Sequence, residues 1–320
     1  MKRIGVVTAG GDAPGMNAAI RSVVRSAIYE GLKVVGFERG YAGLIKGQAR
    51  PMGPRSVSGI INLGGTILKT LRCEEMKTRE GIEKAAEVLK DWGIDGLAVI
   101  GGDGTCKGAL ELYRASGIPM IGIPATIDND VAGTDTTIGF DTAVNTALSA
   151  IDKIRDTATS HERIFVVEVM GRERGFLALE VGLAGGAETI IVPEVNFDID
   201  KICEKLKSAR EEGKTSEIIV MAEGAGDSRK VADYMANETG YQVRLTTLGY
   251  LQRGGVPTAA SRVLACEFGH HAVELLLKGE KKSVVGIRGR EIVSIDLEYT
   301  CKNRKELDLH RYRLAEILSS

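Results

Sequence analysis

Short apolar runs rich in β-branched residues recur along the chain at residues 4–8, 34–37, 97–100, 120–123, 164–169, 189–192 and 218–222. Each leads into a glycine-bearing turn and then into a helix-period stretch, such as residues 16–30, 81–92, 142–157, 198–212 and 261–277. The runs are continuous rather than alternating, which marks strands buried on both faces, as in a parallel sheet covered by helices. The pattern predicts an α/β fold of doubly wound, mostly parallel sheets. Residues 283–287 and 291–294 flank Arg288-Gly289-Arg290 and predict a β-hairpin that turns at glycine on a sheet edge.

Composition adds limits. A chain of 320 residues favours two lobes around one cleft. With 43% hydrophobic and 27% charged residues it is an ordinary globular sequence, but its 40 glycines are an excess. They gather in the turns after apolar runs, where backbone approaches something closely or takes positive φ, which suggests phosphate loops. The net charge of −1 supplies no global positive field for nucleic acid or an anionic membrane. The N-terminus runs straight into a strand-like segment and no stretch is long enough to span a bilayer, so a cytoplasmic protein is expected. The cysteines Cys73, Cys106, Cys203, Cys266 and Cys301 are odd in number and never in C-x-x-C spacing, against both a disulfide framework and zinc. His161, His270, His271 and His310 show no metal-ligand pairing, and Trp92 ends an amphipathic helix.

Candidate chemistry sits just after the apolar runs. The first segment, Thr8-Ala9-Gly10-Gly11-Asp12-Ala13-Pro14-Gly15-Met16-Asn17, opens the first helix; its glycines let phosphate oxygens approach the backbone, or it is a tight turn with Asp12 as a cap. It matches neither common nucleotide fingerprint. In Gly101-Gly102-Asp103-Gly104-Thr105, one carboxylate among glycines could hold magnesium while N–H groups cradle phosphates. Pro124-Ala125-Thr126-Ile127-Asp128-Asn129-Asp130 offers two close carboxylates, either able to accept a hydroxyl proton or to sit near a metal; an Asx-rich turn is the plainer alternative. Arginines near glycine turns, at Arg72, Arg163, Arg172, Arg244 and Arg253, suit a sugar-phosphate clamp.

Together with Met170-Gly171-Arg172, Ala222-Glu223-Gly224 and Gln252-Arg253-Gly254-Gly255, these motifs resemble the bacterial 6-phosphofructokinase family, in order and over nearly the whole chain. The resemblance implies two phosphofructokinase-like lobes with the active site in the cleft between them: residues 1–138 plus 254–303 binding nucleotide, and 139–253 plus 304–320 binding sugar phosphate. It implies transfer of the γ-phosphoryl of MgATP to the 1-hydroxyl of fructose 6-phosphate, the committed step of glycolysis. It casts Asp128 as the base, with Arg72, Gly11, Thr126 and Arg172 as its catalytic company. Asp103 and Asp130 fall at the metal. Gly11, Tyr41, Arg72, Cys73, Gly102, Asp103, Gly104 and Thr105 fall at the nucleotide. Thr126, Ile127, Asp128, Met170, Gly171, Arg172, Glu223, Tyr250 and Arg253 line the sugar site, which Arg163 and Arg244 would reach from a neighbouring subunit of a homotetramer.

Pyrophosphate-dependent relatives typically carry aspartate at position 104 and lysine at 125, so Gly104 and Ala125 favour ATP. A pyrophosphate enzyme, or a kinase of another sugar phosphate such as sedoheptulose 7-phosphate, is the alternative. NAD kinases and diacylglycerol kinases share the 101–105 motif but lack the 124–130 loop and the Gln252-Arg253-Gly254-Gly255 clamp. A silent regulatory subunit is disfavoured because Asp103 and Asp128 are intact. The departures are Tyr250 for a usual histidine, Glu173-Arg174-Gly175-Phe176 after the Met-Gly-Arg motif, and Cys106 for a common tyrosine. The family's effector site for ADP or phosphoenolpyruvate is matched by Arg21, Arg25, Arg155, Glu188 and Lys214. Gly59 stands there for an aspartate and Glu212 for an arginine, which predicts blunted or altered regulation.

Overall fold

In the computed structural model, which describes residues 1–319, the chain divides into two compact units. Unit 1 comprises Met1–Thr142 and Arg253–Lys305; unit 2 comprises Ala143–Gln252 and the segment from Glu306 onward. Numbered along the chain, the strands of unit 1 are β1 (Arg3–Thr8), β2 (Lys33–Phe37), β3 (Ala49–Met52), β4 (Gly96–Gly101), β5 (Met120–Thr126), β6 (Ile138–Gly139), β11 (Lys282–Arg288) and β12 (Glu291–Asp296). Those of unit 2 are β7 (Ile164–Val169), β8 (Thr189–Ile191), β9 (Glu217–Ala222) and β10 (Val243–Thr247). Helices α1 (Met16–Tyr29), α2 (Gly40–Ile45), α3 (Arg79–Asp91) and α4 (Asp103–Ser116) belong to unit 1, and α5 (Phe140–His161) begins there and continues into unit 2. Unit 2 adds α6 (Phe176–Ala184), α7 (Ile199–Glu211), α8 (Ser228–Thr239) and, at the end of the chain, α11 (Leu309–Leu318), while α9 (Ala259–Leu277) and α10 (Leu297–Lys302) return to unit 1.

The unit 1 sheet runs β12-β11-β5-β4-β1-β2-β3, with β6 beside the end of β5. Its centre is parallel, as the continuous apolar runs predict, and Ile4, Val6, Val7, Leu97, Ala98 and Ile100 are fully buried. Both edges are antiparallel: β11 and β12 form the expected hairpin around Gly289, and β3 pairs with β2. On one face, Val7, Val35, Leu97 and Val99 pack with Leu89 of α3, Leu112 of α4 and Leu297 of α10. On the other, α1 and α9 lie against each other: a Cβ on Gly269 would come within 2.6 Å of Ser22 Cβ, and Ser22 Oγ donates to Cys266 O at 2.5 Å. Glu298 ties α4, α10 and β11 together, and its hydrogen bonds from Lys282, Lys302 and Arg114 hold its carboxyl down at about 2.

Helix starts differ in how they are capped. Thr78, Asp198, Asp227, Thr258, Asp296 and Asp308 cap α3, α7, α8, α9, α10 and α11 with a side-chain oxygen. In contrast, α1, α4 and α6 start at Gly15, Gly102 and Gly175, which have no side chain to accept those N–H groups. Asp12 therefore does not cap α1. These are the helices that follow the candidate motifs.

Unit 2 is a wholly parallel sheet in the order β10-β7-β9-β8, around a core that includes Val166, Ile219, Met221, Leu206 and Met235. At the start of β9, Glu217 is only 4% exposed. Burial pushes its carboxyl up to about 7; Lys214 and Lys205 oppose the rise and Glu188 adds to it. A folded-state value above the ordinary 4.5 means that the stabilising form is the protonated one. Its contribution is complete below the ordinary value and is lost as pH rises through about 7. Glu217→Gln should therefore leave the thermal midpoint nearly unchanged at about pH 4.5 but raise it at about pH 8, by up to roughly 3 kcal/mol in stability. Equal shifts at both pH values would contradict this reading.

Candidate active site

Strands β1, β4 and β5 are adjacent, parallel and in register, with Thr8 opposite Ile100 and Gly101 opposite Pro124. Their carboxyl ends form one rim, and the three sequence motifs begin there. Gly101 admits no other residue, because a Cβ would strike Ala9 O and lie 2.5 Å from Thr105 Oγ1. That hydroxyl donates to Ala9 O at 2.9 Å, and Ala9 N donates to Ile100 O at 3.0 Å, so the loops after β1 and β4 are fastened together. Tyr41 OH adds a bond to Thr105 O at 2.7 Å; burial holds its phenol well above its ordinary range, as a donor. Thr70 Oγ1 reaches Gly10 O at 2.8 Å, and a Cβ on Gly11 would come within 2.5 Å of Arg253 Nη1.

Asp103 is the first residue of α4, where unsatisfied N–H groups and the helix dipole favour an anion. Its carboxylate pairs with Lys107 Nζ at 2.6 Å. An exposed i,i+4 pair of this kind contributes only about 0.3–0.5 kcal/mol, so it yields readily to a divalent cation. Gly104 faces open space and Thr105 is buried. Arg72 is exposed and Cys73 is half-buried. Burial raises the Cys106 thiol, so it serves as a small packed group rather than a nucleophile.

After β5 the chain folds back on itself. Asp128 N donates to Thr126 Oγ1 at 3.1 Å, Thr137 Oγ1 to Thr126 O at 2.6 Å, and Asn129 Nδ2 to Asp135 O at 3.2 Å. Ile127, Asp128 and Asn129 are 2%, 3% and 5% exposed, while Asp130 is half-buried. Lys305 Nζ also donates to Asp135 O, at 2.7 Å; burial pulls its ammonium down to about 8 against the attraction of Asp135 and Asp130. Among the described residues, no group of three His, Cys, Asp or Glu side chains could hold a metal unaided. Magnesium is commonly held by one or two carboxylates together with phosphate oxygens and water. Asp103, half-buried at the start of α4, and Asp130, half-buried in the loop after β5, are the two carboxylates that the sequence puts forward for such an ion.

In unit 2, the ends of the adjacent strands β7 and β9 meet. Glu223 Oε1 accepts Arg172 N at 2.7 Å and Gly171 N at 3.2 Å, leaving Arg172 exposed at φ 54° beside buried Met170. Tyr250 is 78% exposed. Arg163 and Arg244 lie near the opposite ends of their strands, Arg163 just before β7 and Arg244 opposite Phe165. At about 3.3 Å per residue, the length of β7 separates Arg163 from Met170 by roughly 20 Å. A second cluster joins Glu188 to Lys214 at 3.3 Å, to Arg155 at 3.4 Å and to Ile218 N at 2.7 Å. Arg21 and Arg25 stand on α1 of unit 1, Gly59 is in unit 1, and Glu212 is the exposed residue ending α7.

The roles of Tyr41, Thr105 and Thr137 as internal ties, and the presence of Lys305 behind the acidic loop, had no sequence signal. All five cysteines are free, and no helix among the described residues is long and apolar enough to cross a membrane.

The phosphofructokinase family model matches residues 3–276. Over the full length of both chains, the sequence is 54% identical to the ATP-dependent 6-phosphofructokinase of Halothermothrix orenii and 55% identical to that of Halalkalibacterium halodurans. A phosphofructokinase structure from Saccharomyces cerevisiae is similar with a TM-score of 0.88 at 37% identity, over 94% of this chain, which spans 45% of the yeast chain. A pyrophosphate-dependent phosphofructokinase from Marinobacter aquaeolei gives 0.84 at 25% identity, over 97% of this chain and 86% of that one. The family match, the full-length identity and the matching fold together mean that this chain belongs to the phosphofructokinase family.

Proposed function

We propose that the protein transfers the γ-phosphoryl of MgATP to the 1-hydroxyl of fructose 6-phosphate, yielding fructose 1,6-bisphosphate and ADP. The observation that carries this reading is the rim of unit 1. There a nearly buried carboxylate, Asp128, follows the strand next to a glycine-started helix that bears Asp103. Full-length relatives named as ATP-dependent 6-phosphofructokinases support the donor and acceptor.

In this mechanism Asp128 accepts the proton of the attacking 1-hydroxyl. Gly11 N–H and the Arg72 guanidinium stabilise charge on the transferring group. Asp103 and Asp130 would hold magnesium, which supplies charge neutralisation on the polyphosphate. Tyr41, Cys73, Gly102, Gly104 and Thr105 complete the nucleotide site. Thr126, Ile127, Met170, Gly171, Arg172, Glu223, Tyr250 and Arg253 orient the sugar. Glu223 does so partly by fixing the Gly171 and Arg172 backbone. The strand-long gap between Arg163 and Met170 supports a site completed by Arg163 and Arg244 of a second copy, in a homotetramer.

The cluster of Arg155, Glu188 and Lys214, with Arg21 and Arg25, would take a phosphorylated effector such as ADP or phosphoenolpyruvate. Glu212 places an anion where a cation would serve, so the response is weak. Glu212→Arg should increase sensitivity to phosphoenolpyruvate or ADP by about 10-fold in a titration of initial rates, the scale of one charge-assisted phosphate contact. An unchanged response would remove Glu212 from this role.

The reaction is tested by Asp128→Asn, which should lower kcat by about 100-fold or more while substrate binding measured by calorimetry stays within about 3-fold. Unimpaired turnover would take Asp128 out of the base role. Gly104 faces open space, so aspartate fits there. Gly104→Asp should keep the thermal midpoint while raising KM for ATP about 10-fold or more through repulsion of the nucleotide phosphates. An unaltered KM would detach Gly104 from donor choice.

A further inference from the structure

Lys305 has no role in the reaction as described, yet it touches the loop that carries Asp128 and Asp130. Its ammonium and the Asn129 amide share one acceptor, the carbonyl of Asp135, at 2.7 Å and 3.2 Å. Asn129 is the residue between the two carboxylates, and its φ of 51° makes the backbone turn there. Asparagine enters this left-handed region more readily than other non-glycine residues because its short amide bonds locally, and here that bond is the one to Asp135 O.

Thr137 Oγ1 lies 3.5 Å from Asn129 Oδ1, at the limit of a hydrogen bond, which leaves the Asp135 carbonyl as the firm anchor of the Asn129 side chain. Asp135 is fastened from one direction by the β11–β12 hairpin. Its N–H donates to Ile287 O at 2.9 Å, and its carboxylate accepts Gly289 N at 2.7 Å. From the rest of the chain Lys305 reaches the Asp135 carbonyl, 170 residues away in sequence and drawn in by the carboxylates of Asp135 and Asp130. An ammonium on a four-carbon stem can bond a carbonyl and still face two anions, because it carries three donors.

We propose that Lys305 is a positioning residue: by clamping the Asp135 carbonyl it keeps Asn129 in its turn and so fixes how Asp128 and Asp130 diverge. The consequence for turnover rests on the phosphoryl-transfer reading given above; the clamp itself is a property of the loop. A charge-removing change should slow the chemical step more than it weakens sugar binding, because Lys305 bonds the loop backbone, is attracted by neighbouring carboxylates and is not among the residues assigned to the sugar.

The test uses the full-length protein with Lys305→Met, Lys305→Arg and, should the methionine variant not fold, Lys305→Gln. Hydrogen exchange of residues 127–137 is measured without ligands, and kcat and KM are measured with MgATP and fructose 6-phosphate. Lys305→Met should speed exchange in that loop and lower kcat by about 10-fold or more each, with KM for the sugar within about 3-fold. Lys305→Arg should restore both to within about 3-fold of the parent. Unchanged loop exchange with kcat within about 2-fold would overturn the proposal, as would equal losses in the arginine and methionine variants. A parent protein inactive with fructose 6-phosphate would sink the reaction reading, whereas the exchange measurement would still decide the clamp.

Discussion

The parallel register of β1, β4 and β5 is the constraint on which the candidate site depends. It brings Thr8, Ile100 and Ile123 level, so that the loops following them emerge side by side. The bond from Thr105 Oγ1 to Ala9 O then locks two of those loops together, in a place where any side chain on Gly101 would intrude. A shift of register by one residue would separate the loop ends by about 3.3 Å and turn each side chain to the opposite face.

The helices that follow the candidate motifs are left without side-chain caps. Most helices are closed by an aspartate or threonine side chain, but α1, α4 and α6 begin at glycine. Their first N–H groups can serve an anionic ligand instead. The acidic side of the rim is weakly committed at Asp103, through an exposed pair with Lys107, and firmly built at Asp128, inside a loop closed by Thr126, Asn129 and Thr137. One carboxylate free to exchange partners and another held in place is the division expected of a metal ligand and a base.

The central strands were legible because both of their faces are buried, which makes residues 4–8 and 97–100 continuous apolar runs. Strand β3 was not: it is an antiparallel edge of four residues, carries Pro51 and has only Met52 buried. The half-exposed β10 gave too little apolar signal. Helix α6 is apolar on nearly every side and so has no helical period, and α4 begins among glycines that lower helix propensity. The change of unit at residues 142 and 143 falls inside α5, where no linker composition marks it. Of the site, the glycine loops and carboxylates stood out in the sequence. The ties made by Tyr41, Thr105, Thr137 and Lys305 did not, since each joins residues distant along the chain or acts through a backbone carbonyl.

Phosphorus NMR of the purified protein with magnesium, fructose 6-phosphate, ATP and pyrophosphate in one tube is the most direct measurement of donor and product together. The kinase assignment predicts that ATP is consumed while pyrophosphate persists, with ADP and a sugar bisphosphate appearing in equal amounts. Consumption of pyrophosphate ahead of ATP, or no sugar bisphosphate at all, would contradict it.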